Sequence, residues 1–170
     1  MKWITRPFQK VSVFERLQQL LTEAGARFRV VEHPHEGNSE RVAAVRGTEV
    51  GQGAKAMLCK LKHADFNVMT IVPGDRRVDF KKVAQHYGHS KASLLSPEEA
   101  TAQTGCVIGA IPPFSFDPSL RLVVDPELFR RYKEIAFNAG RLDRSIVLNA
   151  DDYLRIAKPE LVEIIVENGT

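Results

Sequence analysis

The sequence predicts an α+β fold: a single domain with a curved, mixed β-sheet flanked by helices. Helix and strand signals interleave irregularly, without the regular alternation of a doubly wound sheet. No linker, repeat or low-complexity stretch divides the chain. Its 170 residues, 44% apolar and 26% charged, suit one core, and folding at this size buries roughly 70% of the unfolded chain's surface. The expected domain spans residues 1–170, with its core over about 11–160.

The elements follow in order. Ser12-Val13-Phe14-Glu15 reads as a capping box, and Phe14, Leu17, Leu20, Leu21 and Ala24 recur at helical spacing before Gly25. Residues 27–33 read as a strand, with Phe28 and Val30 on one face. Ser39 opens a short helix through Val42 and Val45 that stops at Gly47. After the turn Gly51-Gln52-Gly53, Ala56, Leu58 and Lys60 alternate with Lys55, Met57, Cys59 and Leu61. With 67–72 they form a hairpin inside the sheet. Asp79 starts a helix carrying Phe80, Val83, Ala84 and Tyr87, ended by Gly88. Ser96-Pro97-Glu98-Glu99 combines a capping box with proline at the first helical position, so a helix runs to Thr104. Residues 105–116 are apolar and rich in Gly and Pro. A strand at 120–124 leads to Asp125-Pro126, which caps a helix to Phe137, with Gly140-Arg141 after Asn138 as its C-terminal cap. Ser145 to Asn149 forms the last strand, and Asp151 caps a last helix to Ala157.

Composition excludes several functions. Met1-Lys2-Trp3-Ile4-Thr5-Arg6-Pro7 lacks the apolar run of a secretory leader, and no stretch approaches the 18 or so apolar residues of a membrane span. A cytoplasmic protein is expected, with Cys59 and Cys106 as reduced thiols. The net charge of +3 is too small to announce a nucleic-acid partner, although residues 1–90 carry +6 and residues 91–170 carry −3. His33-Pro34-His35 and the pair His86 and His89 lack the spacing of a zinc site, so no metal is expected. Ser93 and Ser96 have no His/Asp partner at a hydrolase spacing.

Two features carry chemistry. Gly51-Gln52-Gly53-Ala54-Lys55 is not a nucleotide-triphosphate loop, because Gly53 is not next to the lysine, Ala56 replaces Ser or Thr, and a strand follows. Lys55 is then either a solvated turn residue or a partly desolvated cation that binds an anionic or carbonyl oxygen. Gly109-Ala110-Ile111-Pro112-Pro113 is either a sheet-ending connection or a stiff loop lining a pocket.

The ordered series Gly51-x-Gly53-Ala-Lys55-Ala-Met, Asp79-Phe80, Ser96-Pro-Glu-Glu, Thr104-Gly105 through Gly109-Ala-Ile-Pro112-Pro113-Phe, Val123-Val-Asp125, Asn138-Ala-Gly140-Arg141 and Asp151-Asp-Tyr-Leu resembles the YbaK/ProX family. Those domains edit mischarged tRNA, either inside bacterial prolyl-tRNA synthetases or as separate proteins. The resemblance implies a domain of that fold and a trans-editing deacylase that cleaves the ester of mischarged aminoacyl-tRNA. It implies a small amino acid as cargo (Ser, Thr or Ala), no cofactor, and possible help from a substrate ribose hydroxyl. It assigns Lys55 and Gly109 to catalysis, and Ala110, Ile111, Pro112, Pro113, Met57, Asn138 and Gly140 to substrate binding. The implied partner is the tRNA acceptor end, with an aminoacyl-tRNA synthetase as a second candidate, and neither DNA nor a membrane. Lys60, Lys62, Arg76, Arg77, Lys81 and Lys82 form a candidate group for the tRNA body. Two alternatives stay open: a non-catalytic tRNA- or synthetase-binding module, and a hydrolase of free aminoacyl esters.

Overall fold

The computed structural model describes residues 11–167, so the leader reading at residues 1–7 lies outside the described residues. Helix α1 (Val13–Glu23) is capped by Ser12, whose hydroxyl accepts from the Glu15 amide, and it buries Leu17 and Leu21. Strand β1 (Phe28–Glu32) and helix α2 (Ser39–Arg46) follow. The hairpin β2 (Ala54–Leu61) and β3 (Asn67–Pro73) leads to α3 (Phe80–His86) and β4 (Ala92–Leu94). Helix α4 (Pro97–Thr104) precedes β5 (Leu120–Val124), β6 (Glu134–Arg141), β7 (Arg144–Asn149), α5 (Ala150–Ala157) and β8 (Glu160–Leu161).

The strands form two sheets. One is antiparallel, in the order β1-β7-β6. The other has the order β4-β2-β3-β5-β8, antiparallel from β4 to β3 and parallel across β3, β5 and β8. A parallel bridge from Gly53 to Ala136 joins them. The larger core, including Leu17, Leu58, Ile71, Phe114, Ile135, Phe137 and Tyr153, is shared by the sheets, α1 and α5. A second cluster, with Cys59, Val68, Val72, Val83 and Ile164, lies on the opposite face of the five-stranded sheet beneath α3. No helix among the described residues is long and apolar enough to cross a membrane.

Three expectations change. Asp125 does cap a turn, but it is a 3₁₀ turn over Pro126–Phe129, and the predicted helix to Phe137 is strand β6. Residues 135–139 of β6 are buried on both faces, and a strand without alternation looks like a helix to a periodicity argument. Gly140 is therefore no helix cap. It has φ +81° where the β6–β7 register shifts, and a Cβ there would lie 2.9 Å from Val13 Cγ1. Asn149 and not Asp151 caps α5, accepting from the Asp152 amide. The two shortest strands, β4 and β8, have too few residues to show a period.

Candidate active-site cleft

Helix α2 is set by its caps. Asn38 Oδ1 accepts from the Glu40 and Arg41 amides, and Gly47 closes the helix in the left-handed conformation. The sequence expectation paired Val42 with Val45, yet Val45 is 43% exposed and Arg46 only 6% exposed. The inward face is Ser39, Val42 and Arg46, at i, i+3 and i+7. This face, the start of β2, the middle of β6 and the segment 109–111 enclose a cleft of about 490 Å³, its open mouth included.

Four of the sequence-assigned residues meet in the cleft: Lys55, Gly109, Ile111 and Asn138. Gly109 has φ +90°, and a Cβ on it would lie 3.0 Å from Gly37 Cα. Asn138 fixes this approach, because its Nδ2 donates to the Glu36 and Gly109 carbonyls, each at 2.8 Å. The other assigned residues support the cleft or lie beside it. Ala110 is fully buried, and its carbonyl accepts from the Gly140 amide. Pro113 offers its carbonyl to the buried Tyr153 hydroxyl at 2.6 Å. Pro112 borders a separate hollow with Phe114 and Phe116. Met57 borders another, with Arg77, Val78, Phe80 and Leu94, and Lys55 is common to that hollow and the cleft.

Lys55 is half-buried, and its Nζ donates to the Arg76 carbonyl. Burial pushes its pKa down from 10.5, opposed by the Asp75 carboxylate and reinforced by Arg77. Asp75 is itself held by a bidentate contact from Arg131 at 2.7 and 2.9 Å. Of the candidate tRNA-body cations, Arg76 faces Asp75 and Glu127, Lys82 faces Glu167, and Lys60 faces Glu99.

Sequence reasoning missed a polar network behind the cleft. Arg46 Nε donates to Ser145 Oγ at 2.9 Å, and its Nη2 donates to Asn138 Oδ1 at 3.3 Å. His33 Nε2 lies 2.7 Å from Ser145 Oγ, and its Nδ1 lies 2.8 Å from the Pro34 carbonyl. A carbonyl only accepts, so Nδ1 carries a proton toward Pro34, and Ser145 Oγ lies within hydrogen-bond distance of both His33 Nε2 and Asn138 Oδ1, the latter at 3.0 Å. Desolvation pulls the Arg46 guanidinium down to about 10, which leaves it charged at neutral pH. The spacing of Ser39, Val42 and Arg46 was the available signal. An arginine in a last helical turn, however, ordinarily reads as solvated.

Among the described residues the cleft lining contains two cations and no Asp, Glu, His or Cys. Cys59 and Cys106 are buried elsewhere, and burial pushes the Cys59 thiol up to about 12. The site therefore favours an electron-rich ligand over a cationic one. It offers orientation and hydrogen-bond donation more than a nucleophile of its own.

Residues 33–156 match the model of a family described as the aminoacyl-tRNA editing domain. A protein of Escherichia coli K12 named multifunctional Ser/Thr-tRNA deacylase ProXp-y is 55% identical over 150 residues, covering 87% of this chain and 90% of that one. An Enterococcus faecalis protein named as a candidate Cys-tRNA(Pro)/Cys-tRNA(Cys) deacylase is 25% identical, covering 75% of this chain and 76% of its own. Among solved structures, a candidate trans-editing enzyme for prolyl-tRNA synthetase superposes with a TM-score of 0.78 over 94% of this chain and 100% of that one, at 23% identity.

Proposed function

Because the chain belongs to the aminoacyl-tRNA editing domain family, we propose that it is a trans-editing deacylase, one domain that hydrolyses the ester of seryl- or threonyl-tRNA mischarged on a non-cognate tRNA. The observation that carries this reading is the cleft that Lys55 shares with Gly109, rich in donors and free of carboxylates. The 55% identity to a Ser/Thr-tRNA deacylase supports the choice of amino acid.

An aminoacyl ester is already activated, so its hydrolysis needs an oriented water and a stabilised oxyanion more than a strong nucleophile. Water adds to the carbonyl carbon, charge builds on the carbonyl oxygen, and the bond to the ribose oxygen breaks. That oxygen takes up a proton as the free amino acid leaves. Lys55 holds the ester end of the substrate by charge. Among the described residues the Gly109 and Ile111 amides donate to no protein acceptor, so they are open to the developing oxyanion. Among the described residues no cleft side chain is a carboxylate, imidazole or thiol, and the neighbouring ribose hydroxyl of the substrate supplies the group that orients the water. The aminoacyl moiety enters the cleft. The terminal nucleoside rests in the adjoining hollow against Met57, Phe80 and Leu94, with Lys55 between the two. The cleft walls Val42, Ile111 and Phe137 limit the cargo to small side chains.

The partner is the tRNA acceptor end, and Lys62, Arg77 and Lys81, which make no ion pair among the described residues, are proposed to meet the tRNA body. A synthetase that hands over mischarged tRNA is a second proposed partner, tested by co-elution. The deciding experiment is a deacylation panel with Ser-, Thr-, Ala-, Cys- and Pro-charged tRNAs. Release of serine and threonine well above the rate in buffer is expected. Salt-sensitive tRNA binding with no shortened ester lifetime would overturn the enzyme reading in favour of a binding module.

A further inference from the structure

Among the described residues Arg46 is a buried cation without a counter-ion. It is 6% exposed, and no carboxylate lies within 4.0 Å of it among the described residues. A guanidinium has five N–H groups. One goes to Ser145 and one to Asn138, which leaves three without a protein acceptor. Among the described residues Thr48 Oγ1 is the side-chain polar atom that is both buried and unpartnered. Nη1 of Arg46, which has no protein partner, is therefore reached from outside, and the cleft is the opening that Arg46 lines. Solvent reaches those donors in the free protein, and a ligand that fills the floor without offering them an acceptor leaves them unpaired at a cost.

Depth identifies the oxygen. The group that meets those N–H donors must accept hydrogen bonds, so it is an oxygen and not the α-ammonium of the aminoacyl group. At the mouth, the deacylase reading already assigns Lys55 and the Gly109 amide to the ester. The floor is reached by the far end of the aminoacyl group. Val42, one helical turn before Arg46, adds apolar surface beside the guanidinium for a methyl group.

Building on the deacylase reading, we propose that Arg46 is the specificity-determining residue of the cleft, donating to the side-chain hydroxyl of a seryl or threonyl ester, while the Ser145–His33–Asn138 network holds the guanidinium in register. An alanyl ester leaves those donors unpaired, so the enzyme discriminates between amino acids that differ by one oxygen. A hydrogen bond from a charged group corresponds to about 10- to 100-fold in rate.

The test compares kcat/KM for Ser, Thr and Ala esters on one tRNA. Arg46→Met is expected to slow seryl and threonyl hydrolysis more than alanyl hydrolysis, lowering both ratios by about 10- to 100-fold, and Arg46→Lys is expected to recover part of the ratio. Equal slowing of all three esters would overturn the proposal, because it would mean that Arg46 serves the ester itself. A second measurement needs no variant. Non-hydrolysable seryl and alanyl amides of 3′-amino-3′-deoxyadenosine are titrated into the parent protein while the Arg46 Nε resonance is followed. A shift with the seryl amide alone supports the proposal, and equal shifts overturn it. A parent that hydrolyses none of the three esters would overturn the deacylase reading, and the titration would still decide the role of Arg46.

Discussion

Gly109 and Gly37 pass so closely that a Cβ on Gly109 would lie 3.0 Å from the Gly37 Cα. Gly109 also has φ +90°, a conformation open to glycine and strained for other residues. Gly109→Ala thus combines backbone strain with a backbone clash that no side-chain rotation relieves. The expected outcome is a loss of about 1–3 kcal/mol in stability and a fall in deacylation that exceeds it, because the displaced loop carries the Gly109 amide away from the ester. Thermal unfolding and single-turnover hydrolysis of the same preparation check both halves.

Lys55 is expected to support catalysis at a cost to stability. Its pKa is lowered from 10.5 mainly by burial, so the folded state binds this proton less tightly than the unfolded state. The cost is full below the folded value and disappears as pH rises through it toward 10.5. Lys55→Met should therefore melt above the parent at pH 7, and the gap should narrow toward pH 10. Deacylation should fall by about 100-fold or more, the scale of losing one oxyanion donor. A variant that melts lower at pH 7 and hydrolyses as fast as the parent contradicts both arguments.

Asp152 ties the last helix to the first strand. It accepts from the Arg27 amide at 2.8 Å and from Arg27 Nε at 3.0 Å, and Arg155 reaches it at 3.3 Å. The Arg27 guanidinium and amide hold its carboxyl well below the ordinary aspartate value of 3.8. A depressed carboxylate stabilises the fold fully above the unfolded value, and the contribution fades as pH falls below 3.8 toward the folded one. The stability gap between the parent and Asp152→Asn should be constant from pH 5 to 8 and should shrink on acidification, as followed by urea midpoints across that range.

What could be read from the sequence divides by distance along the chain. A strand pattern and a Gly-Pro run, both local signals, marked Lys55 and the Gly109 loop as candidates with two readings each, and the family resemblance made the choice between them. The caps at Ser12, Asp79 and Ser96 were legible as local signals too. Asn138 was identified, but on a helix that is strand β6, because burial of both faces erased the alternation that marks strands. Arg46, His33 and Ser145 were missed altogether. Their bonds join residues 92 to 112 positions apart, and no local pattern distinguishes an arginine aimed inward from one in solvent. Only the register of β6 on β7 sets Asn138 opposite Ser145 and so creates the network.

Tyr153 tests whether the loop is held from beneath. Its hydroxyl, fully buried, donates to the Pro113 carbonyl at 2.6 Å, and its ring meets Phe114 edge-on with centroids 5.2 Å apart. Tyr153→Phe keeps the ring and leaves the carbonyl without a donor. The expected loss is about 1–3 kcal/mol, with KM for the charged tRNA rising more than kcat falls, because the loop is loosened and its cleft-facing atoms are retained. Chemical denaturation and steady-state deacylation measure the two effects separately.

Asn138→Asp separates shape from hydrogen-bond sense at the centre of the site. The side chains have nearly the same outline, but the carboxylate replaces a donor that serves the Glu36 and Gly109 carbonyls at 2.8 Å each. An oxygen now faces two oxygens, so the rim segments that Asn138 clips together are driven apart. The new charge also lies beside Arg46 Nη2, where the present amide oxygen accepts at 3.3 Å, and it gives the guanidinium the counter-ion it lacks. Both changes act against hydrolysis: the first misplaces Gly109, and the second draws Arg46 away from a ligand oxygen. Asn138→Ala removes the clip and adds no charge. If the clip alone matters, Asn138→Asp slows seryl, threonyl and alanyl esters in the same proportion, whatever its loss relative to Asn138→Ala. If the unpaired charge of Arg46 matters as well, the loss that Asn138→Asp adds to that of Asn138→Ala falls on the seryl and threonyl esters more than on the alanyl ester, and deacylation of the three substrates by the two proteins measures the difference.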